Sequence, residues 1–475
     1  MSGSSLHSAR SVFAAVRGAD DTIAAISTPP GRGAIALVRV SGVQADDIVS
    51  RLIAPWPLTA RHATLCAVRD PSTHALLDRA LVTRFERGAS FTGEPMVEIS
   101  THGGLVTPAL ILAALITAGA RQADAGEFTR RAVINGTLDL AQAEAIGDVI
   151  DATSRAAHRA AIEMLDGGLS RRVSALREAL LEVESLIAYE IDFPEEDDGP
   201  VSAERVRESA LVVRTAIDAL LATASTGELV RTGALVVIAG VPNAGKSSLF
   251  NALLGSARAL VTPVPGTTRD AIEAVVDGPR WPLRLVDTAG LRETTDLIER
   301  LGIEVSERYL AGAEAIIVCG ETAHDIEFTA ARAATLSAAP QIHALTKCDR
   351  NDQSPSEHGD PPPDSVAAAG IIETSAERGM GLTAVLSAID ERISARHGAP
   401  ALDAPVLTRA RHATAIRQAR DELNRFMDVW ESGAVPAPVA SVHLRAAVEA
   451  LEELIGAVGV EDVLDRVFRS FCVGK

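Results

Sequence analysis

The run Gly240-Val241-Pro242-Asn243-Ala244-Gly245-Lys246-Ser247-Ser248 sets two glycines, a lysine and two hydroxyls at the spacing that wraps backbone N–H groups round an anion. Glycine lets consecutive amides turn toward one point, and a helix opening here aims its positive end at the same place. Lys246 is then placed to reach β- and γ-phosphates, and the Ser247 hydroxyl to ligand Mg2+. Asn243, Ala244, Gly245 and Ser248 supply the rest of the cradle. The chemistry is the binding of a nucleoside triphosphate.

Other short motifs follow in an order that narrows this chemistry. Asp287-Thr288-Ala289-Gly290 closes an apolar run: its carboxylate can hold Mg2+ through water, and the Gly290 N–H can meet the γ-phosphate. Gly266-Thr267-Thr268-Arg269-Asp270 lies between the two motifs, where a switch segment brings a threonine to the metal, and Thr268 takes that role. Thr346-Lys347-Cys348-Asp349 fits base recognition, because the Asp349 carboxylate can accept from both guanine N1–H and the 2-amino group, a pair that adenine lacks. Thr374-Ser375-Ala376 fits the loop behind the base, with Ser375 and Ala376 in the nucleotide set. Each motif alone is weak, but in this order, each at a strand end, they define a GTPase. In small GTPases a glutamine after Asp-Thr-Ala-Gly orients the attacking water; here Leu291 stands there without a hydrogen-bonding group. Glu293, Glu299 or Arg292 must substitute. Asn243 either caps its turn or offers its amide oxygen to a monovalent cation that does the charge work of an arginine finger.

The elements that must position these residues form a mostly parallel, doubly wound sheet. Its strand candidates are Leu235–Ala239, Ala271–Asp277, Leu283–Val286, Ala315–Cys319, Gln341–Leu345 and Ile371–Glu373, with helical patterns between most of them. Upstream, Thr22–Ile26, Ala34–Val40, Ala80–Phe85 and Met96–Ser100 read as strands of an α+β region, and His102 before Gly103-Gly104 reads as a turn residue. Ala-rich helical periodicity runs from Leu138 to Ile191 and from Ala203 to Ala224, and returns after His397–Pro405. Arg155, Arg159, Arg171, Arg172 and Arg177 alternate with acids there and read as a solvated helix face. The expectation is a multidomain α/β chain: an extension over 1–20, an N-terminal α+β domain over 21–135, a discontinuous all-α domain over 136–230 and 398–475, and an inserted Ras-like α/β P-loop GTPase domain over 231–397.

The 475 residues carry a net charge of −18, which argues against a broad phosphate-neutralising surface, so any RNA is held by a partner or a local patch. Cys66, Cys319, Cys348 and Cys472 are scattered without metal-ligand spacing, as suits a reducing compartment. The most apolar window, Leu105 to Ala120, is too short for a bilayer and reads as a buried helix, and no membrane span is expected. The first nineteen residues hold Arg10, Arg17, several serines and no acid, faintly like an organelle transit segment; a disordered extension is the expectation.

From Asp21 onward the chain resembles the MnmE (TrmE) family of tRNA-modification GTPases. The resemblance is carried by Asp21-Thr22-Ile23, Thr28-Pro29-Pro30-Gly31-Arg32-Gly33, Ser90-Phe91-Thr92-Gly93-Glu94, His102-Gly103-Gly104 and Gly126-Glu127-Phe128. Leu138-Asp139-Leu140-Ala141-Gln142-Ala143-Glu144-Ala145, the nucleotide motifs and the terminal Phe471-Cys472-Val473-Gly474-Lys475 complete it. The resemblance implies a cytoplasmic homodimer with an N-terminal folate-binding dimerisation domain. It also implies partnership with the flavoprotein MnmG in a heterotetramer or larger complex, which puts carboxymethylaminomethyl or aminomethyl groups on C5 of the wobble uridine of certain tRNAs.

The cofactors implied are GTP, Mg2+, K+ and a 5-formyl-tetrahydrofolate-type folate, with K+ driving G-domain dimerisation and hydrolysis. The matching K+ positions are Asn243, Thr262, Val264 and Thr267, and Thr262 and Thr267 also join the nucleotide set. Glu299 matches the water-orienting residue, with Arg292 as a second catalytic candidate. Arg39, Glu98 and Lys475 match the folate positions, and Thr137 stands where the family carries a lysine. Pro263 and Pro265 stiffen the cation loop, and Thr346 replaces the usual asparagine. Cys472 sits where a prenylation motif would put it, but Gly474-Lys475 behind it fits the family tail better. Rival readings are a ribosome-assembly or regulatory GTPase and a folate-dependent methyltransferase.

Overall fold

The computed structural model of the protein describes residues 21–192, 202–256, 272–287, 307–353, 370–399, 406–433, 436–456, 471 and 474. The chain divides into two compact units, Met1–Gly147 with Val173–Leu181 and Ser441–Lys475, and Asp148–Arg172 with Glu182–Ala440.

In the first unit seven strands make one sheet: β1 (Ile23–Ile26), β2 (Ile35–Ser41), β3 (Ile53–Ala54), β4 (Thr64–Arg69), β5 (Leu76–Phe85), β6 (Met96–His102) and β7 (Arg121–Gln122). Their order is β3-β4-β5-β6-β2-β1-β7, antiparallel except for the β1–β7 pair. The expected strands are present, but β3, β4 and β7 lie outside that reading. β3 and β7 are two residues long, and β4 has apolar residues on both faces, so no period-two signal marks it.

Alternation turns Val38, Val40, Val97 and Ile99 into the core beneath the helices Ala45–Ser50 and Val106–Thr117. It thereby puts Arg39 and Glu98 on the opposite face. The window expected to form a buried helix buries Pro108, Ile111, Ala114, Leu115, Ala118 and Ala120, while Leu105 and Val106 are 71% and 67% exposed. A helix lying on one face of a sheet covers a single stripe, whatever its overall hydropathy. His102 ends β6 with Nδ1 2.7 Å from Asp78. Gly103 is needed for close approach: a Cβ there would lie 2.1 Å from the Gly33 carbonyl oxygen.

A cluster of charges ties this unit together. The buried Arg131 guanidinium donates to the Asp21 carboxylate at 2.5 Å, Glu127 at 3.0 Å and Glu94 at 3.2 Å. Arg121 donates to Asp21 at 2.6 Å and to Glu127 at 2.6 Å. Glu94 also accepts from Ser41, which shares a hydrogen bond with Thr92.

The second unit holds a six-stranded sheet of β8 (Ala234–Gly240), β9 (Ile272–Asp277), β10 (Pro282–Asp287), β11 (Ala315–Gly320), β12 (Gln341–Leu345) and β13 (Ile371–Glu373), in the order β13-β12-β11-β8-β10-β9. All pairs are parallel except β9–β10, and apolar clusters fill both faces, so the doubly wound expectation matches the structure. The β9–β10 turn is held by Asp390, which accepts from the Arg280 and Trp281 amides and the Arg280 guanidinium. Helices Arg155–Leu165, Ala203–Leu221, Ala224–Thr232 and Ala410–Ser432 belong to this unit.

Arg155, Arg159, Arg171 and Arg172 are exposed as expected. In the first unit, Arg177 instead pairs with Glu452 at 2.6 Å. Among the described residues, Ala203–Thr232 is the one helical stretch long and apolar enough, by length and composition, to cross a membrane. It breaks between Leu221 and Ala224, and it buries Val206, Ala210, Val213, Ile217 and Leu220 along one stripe while Arg205, Arg207 and Asp218 lie off it. That is the pattern of a core helix.

Candidate functional site

β8 is buried along almost its whole length, as a central parallel strand must be, and ends where the glycine-framed loop begins. A Cβ on Gly240 would lie 2.5 Å from the Cys319 carbonyl oxygen of β11, so only glycine lets the loop leave the sheet here. Gly245 (φ +77°) and Asn243 (φ +63°) both adopt left-handed backbone, which curls the loop before the helix Lys246–Ser256 starts. Lys246 is buried, and its ammonium spans the loop mouth through the carbonyls of Gly240 at 3.0 Å and Val241 at 2.9 Å.

The Ser247 hydroxyl donates to the Asp287 carboxylate at 2.5 Å. This joins the start of the helix to the end of β10 and brings together the oxygen ligands that a hard divalent cation takes. Beneath them, burial pushes the Cys319 thiol up to about 12, against a smaller downward pull from Lys246, so it stays an unreactive neutral side chain.

The base-recognition residues gather at the ends of β12 and β13. Ser375 donates to the Asp349 carboxylate at 2.6 Å, and this bond is the main cause holding that carboxyl below its usual 3.8. Asp349 is therefore an acceptor at neutral pH, the state that guanine recognition requires. Ala376 begins the turn behind it. Thr346 is buried, with its hydroxyl 2.8 Å from the Ala244 carbonyl and 3.1 Å from that of Gly320. It thus takes up a tether between the base loop and the phosphate loop. Lys347 donates to the Asn243 carbonyl at 2.8 Å and pairs with Glu321. Neither Thr346's tether nor Glu321 is legible in the motif spacing.

Thr262, Val264, Thr267, Thr268, Thr288, Ala289, Gly290, Leu291, Arg292, Glu293 and Glu299 lie outside the described residues, as do Pro263, Pro265, Cys472 and Lys475.

In the first unit Arg39 and Glu98 are cross-strand partners on β2 and β6, joined at 2.9 Å and half-buried on the sheet face that also carries the cluster of Ile23, Ala25 and Phe128. The Arg39 guanidinium lies over the Phe91 ring at 5.8 Å. The Thr137 hydroxyl is 3.0 Å from the Phe91 carbonyl and 2.9 Å from that of Ala132, so Thr137 anchors the loop that carries Phe91. Gly474, next to Lys475, docks on the end of β1 and accepts from the Ser27 hydroxyl at 2.8 Å; its φ of +93° and close approach to Ile26 require glycine. The structure therefore gathers Arg39, Glu98, Thr137 and the residue before Lys475 in one unit. It adds Ser27, which the sequence reading did not single out, and Phe91, which lies inside one of its motifs.

Comparison with known proteins covers nearly the whole chain. The family described as the GTP-binding protein TrmE N-terminus matches residues 22–137, and the MnmE helical domain matches residues 140–472. A tRNA modification GTPase MnmE of Heliobacterium modesticaldum is 40% identical over 476 residues, covering 96% of this chain and 99% of that one. The chain belongs to the MnmE family. Relatives with the same name in Thermus thermophilus and Azoarcus sp. are 39% and 40% identical, each with 96% or more of both chains aligned. The TrmE N-terminal match takes in every strand of the first sheet, and the MnmE helical match begins before the second sheet and ends after it.

Proposed function

We propose that this chain is a GTP hydrolase that acts with the flavoprotein MnmG to install carboxymethylaminomethyl or aminomethyl groups at C5 of tRNA wobble uridines. The observation that carries the hydrolase part is the convergence of Lys246, Ser247, Asp287 and Asp349 at the ends of β8, β10 and β12. Loop amides and the Lys246 ammonium neutralise the triphosphate, Ser247 and Thr268 hold the Mg2+ that shields its charge, and Asp349 with Ser375 and Ala376 selects guanine. Glu299 orients water in place of the glutamine that Leu291 displaces, with Arg292 as a second catalytic candidate. Asn243, Thr262, Val264 and Thr267 would hold K+, which would supply positive charge beside the phosphates and favour pairing of two G domains. The acidic charge of −18 supports a division of labour in which the partner carries most of the tRNA.

The test is GTP turnover in matched KCl and NaCl. KCl is expected to raise the rate roughly 10-fold or more, with Asn243→Ala losing that gain and Glu299→Ala losing about 10²-fold in either salt. Equal wild-type rates in both salts would sink the potassium part, and a normal wobble-uridine modification profile after deletion would sink the modification part in favour of a purely regulatory GTPase.

Domain boundaries at 21–135, 136–230, 231–397 and 398–475, a homodimer and a cytoplasmic location belong to the same reading. So does a folate site at Arg39, Glu98, Thr137 and Lys475, supported by the half-buried Arg39–Glu98 pair, whose guanidinium lies over Phe91. Loss of a charged contact predicts that Arg39→Ala weakens 5-formyl-tetrahydrofolate binding about 10- to 100-fold in calorimetry. GTP turnover in the same variant should stay at the wild-type rate. Unchanged folate affinity would move the site elsewhere.

A further inference from the structure

Asn243 and Lys347 are two of four non-glycine residues with positive φ among the described residues, and they touch where the base loop meets the phosphate loop. Left-handed backbone is unfavourable for lysine and is tolerated by asparagine, so at Lys347 surrounding contacts must hold it. The Lys347 ammonium supplies one such contact, at 2.8 Å from the Asn243 carbonyl oxygen, and the neighbouring Thr346 hydroxyl grips the Ala244 carbonyl at 2.8 Å. Two successive carbonyls of the phosphate loop are thus fixed by two successive residues of the base loop. With its peptide plane pinned, Asn243 keeps only side-chain freedom, and that side chain is exposed at the loop surface.

A lysine stem has four rotatable bonds and would not stay on a neutral carbonyl by itself. What keeps it there is Glu321, the first residue after β11, which pairs with the same ammonium.

We infer that Glu321 is a positioning residue for the cation-dependent step: through Lys347 it fixes the backbone of Asn243, and so the place where the Asn243 amide oxygen meets a monovalent cation. The inference rests on the reading of Asn243 as a K+ ligand. Glu321 touches neither nucleotide nor cation in this account. Its carboxylate acts only by holding an ammonium in place, and replacement by the neutral amide exchanges a charge-assisted hydrogen bond for a weaker one.

The experiment is a K+ titration of GTP turnover at constant ionic strength, with fluorescent GDP affinity measured separately in NaCl, for the intact chain and for Glu321→Gln, Lys347→Met, the double variant and Asn243→Ala. Glu321→Gln is expected to raise the half-saturating K+ concentration roughly fivefold. GDP affinity in NaCl should change far less, and the substitution should add nothing once Lys347 is Met. A merely structural glutamate would weaken GDP binding and turnover alike in both salts, and that result overturns the inference. So does a shift that persists in the Lys347→Met background, or wild-type K+ half-saturation in Glu321→Gln while Asn243→Ala loses K+ dependence. A wild-type chain indifferent to K+ overturns both the inference and the reading beneath it, and is distinguished because it is seen before any substitution is made.

Discussion

Lys246→Ala lowers GTP turnover by about 10²- to 10³-fold, the cost of removing a preorganised charge from a phosphate-transfer site. In the structure the ammonium is buried and lies across the loop mouth on the Gly240 and Val241 carbonyls, so its charge is confined to the concave side of the loop. Developing negative charge on the transferred phosphoryl group would meet a cation whose position is already set. Alanine leaves those carbonyls facing the triphosphate without a positive charge between them. The neutral isostere Lys246→Met separates charge from packing and should lose a similar factor, because the stem is retained and only the ammonium is gone. Single-turnover hydrolysis and fluorescent GDP binding check this. Turnover within a few-fold of wild type in both variants would remove the loop from the reaction.

Arg131→Met should destabilise the first unit by about 3–5 kcal/mol, the cost of leaving buried charges without their partner. Asp21, Glu94 and Glu127 all accept from Arg131, and Arg121 alone cannot serve them, since it contacts only Asp21 and Glu127 in that set. Hydrogen exchange across β1 and β2 in the intact chain is the measurement, and protection equal to wild type would refute the expectation. The acid response carries a second sign. Burial opposes ionisation of Asp21 and Glu127, yet hydrogen bonds from Arg121 and Arg131 outweigh it and hold the two carboxyls below 3.8 and 4.5. Both folded values are depressed, so their stabilisation is fully present above the ordinary carboxylate range and is lost as pH falls through the folded values. In Arg131→Met the carboxylates repel one another, so mild acid should cost less stability than in wild type.

How far these residues were legible follows from how local their signals are. The phosphate loop is contiguous, and β10, β12 and β13 each pair in parallel with a neighbouring strand and read as apolar runs ending in a motif. Their order was therefore enough to name the nucleotide chemistry, and all six strands of that sheet fall where apolar runs predict them. The first sheet was less legible. β4 lacks clean alternation and β7 spans two residues, and the helix Val106–Thr117 has a uniform apolar composition that hides which stripe is covered.

By itself the sequence determined that a glycine loop stands between a strand and a helix, that an aspartate follows β12 in the motif order of a GTPase, and that the terminal tail matches a family pattern. Each is a statement about residues adjacent in the chain, where spacing and backbone preference settle the geometry. Tertiary structure alone decided that Glu98 faces Arg39 across β2 and β6, that Arg131 gathers the distant carboxylates of Asp21 and Glu94, that Gly474 closes onto Ser27, and that Glu321 reaches Lys347. Those pairs join segments far apart in sequence, and only the register of the sheets and the burial around them brings an ordinary glutamate, serine or arginine to the one position where its charge or hydroxyl has a partner.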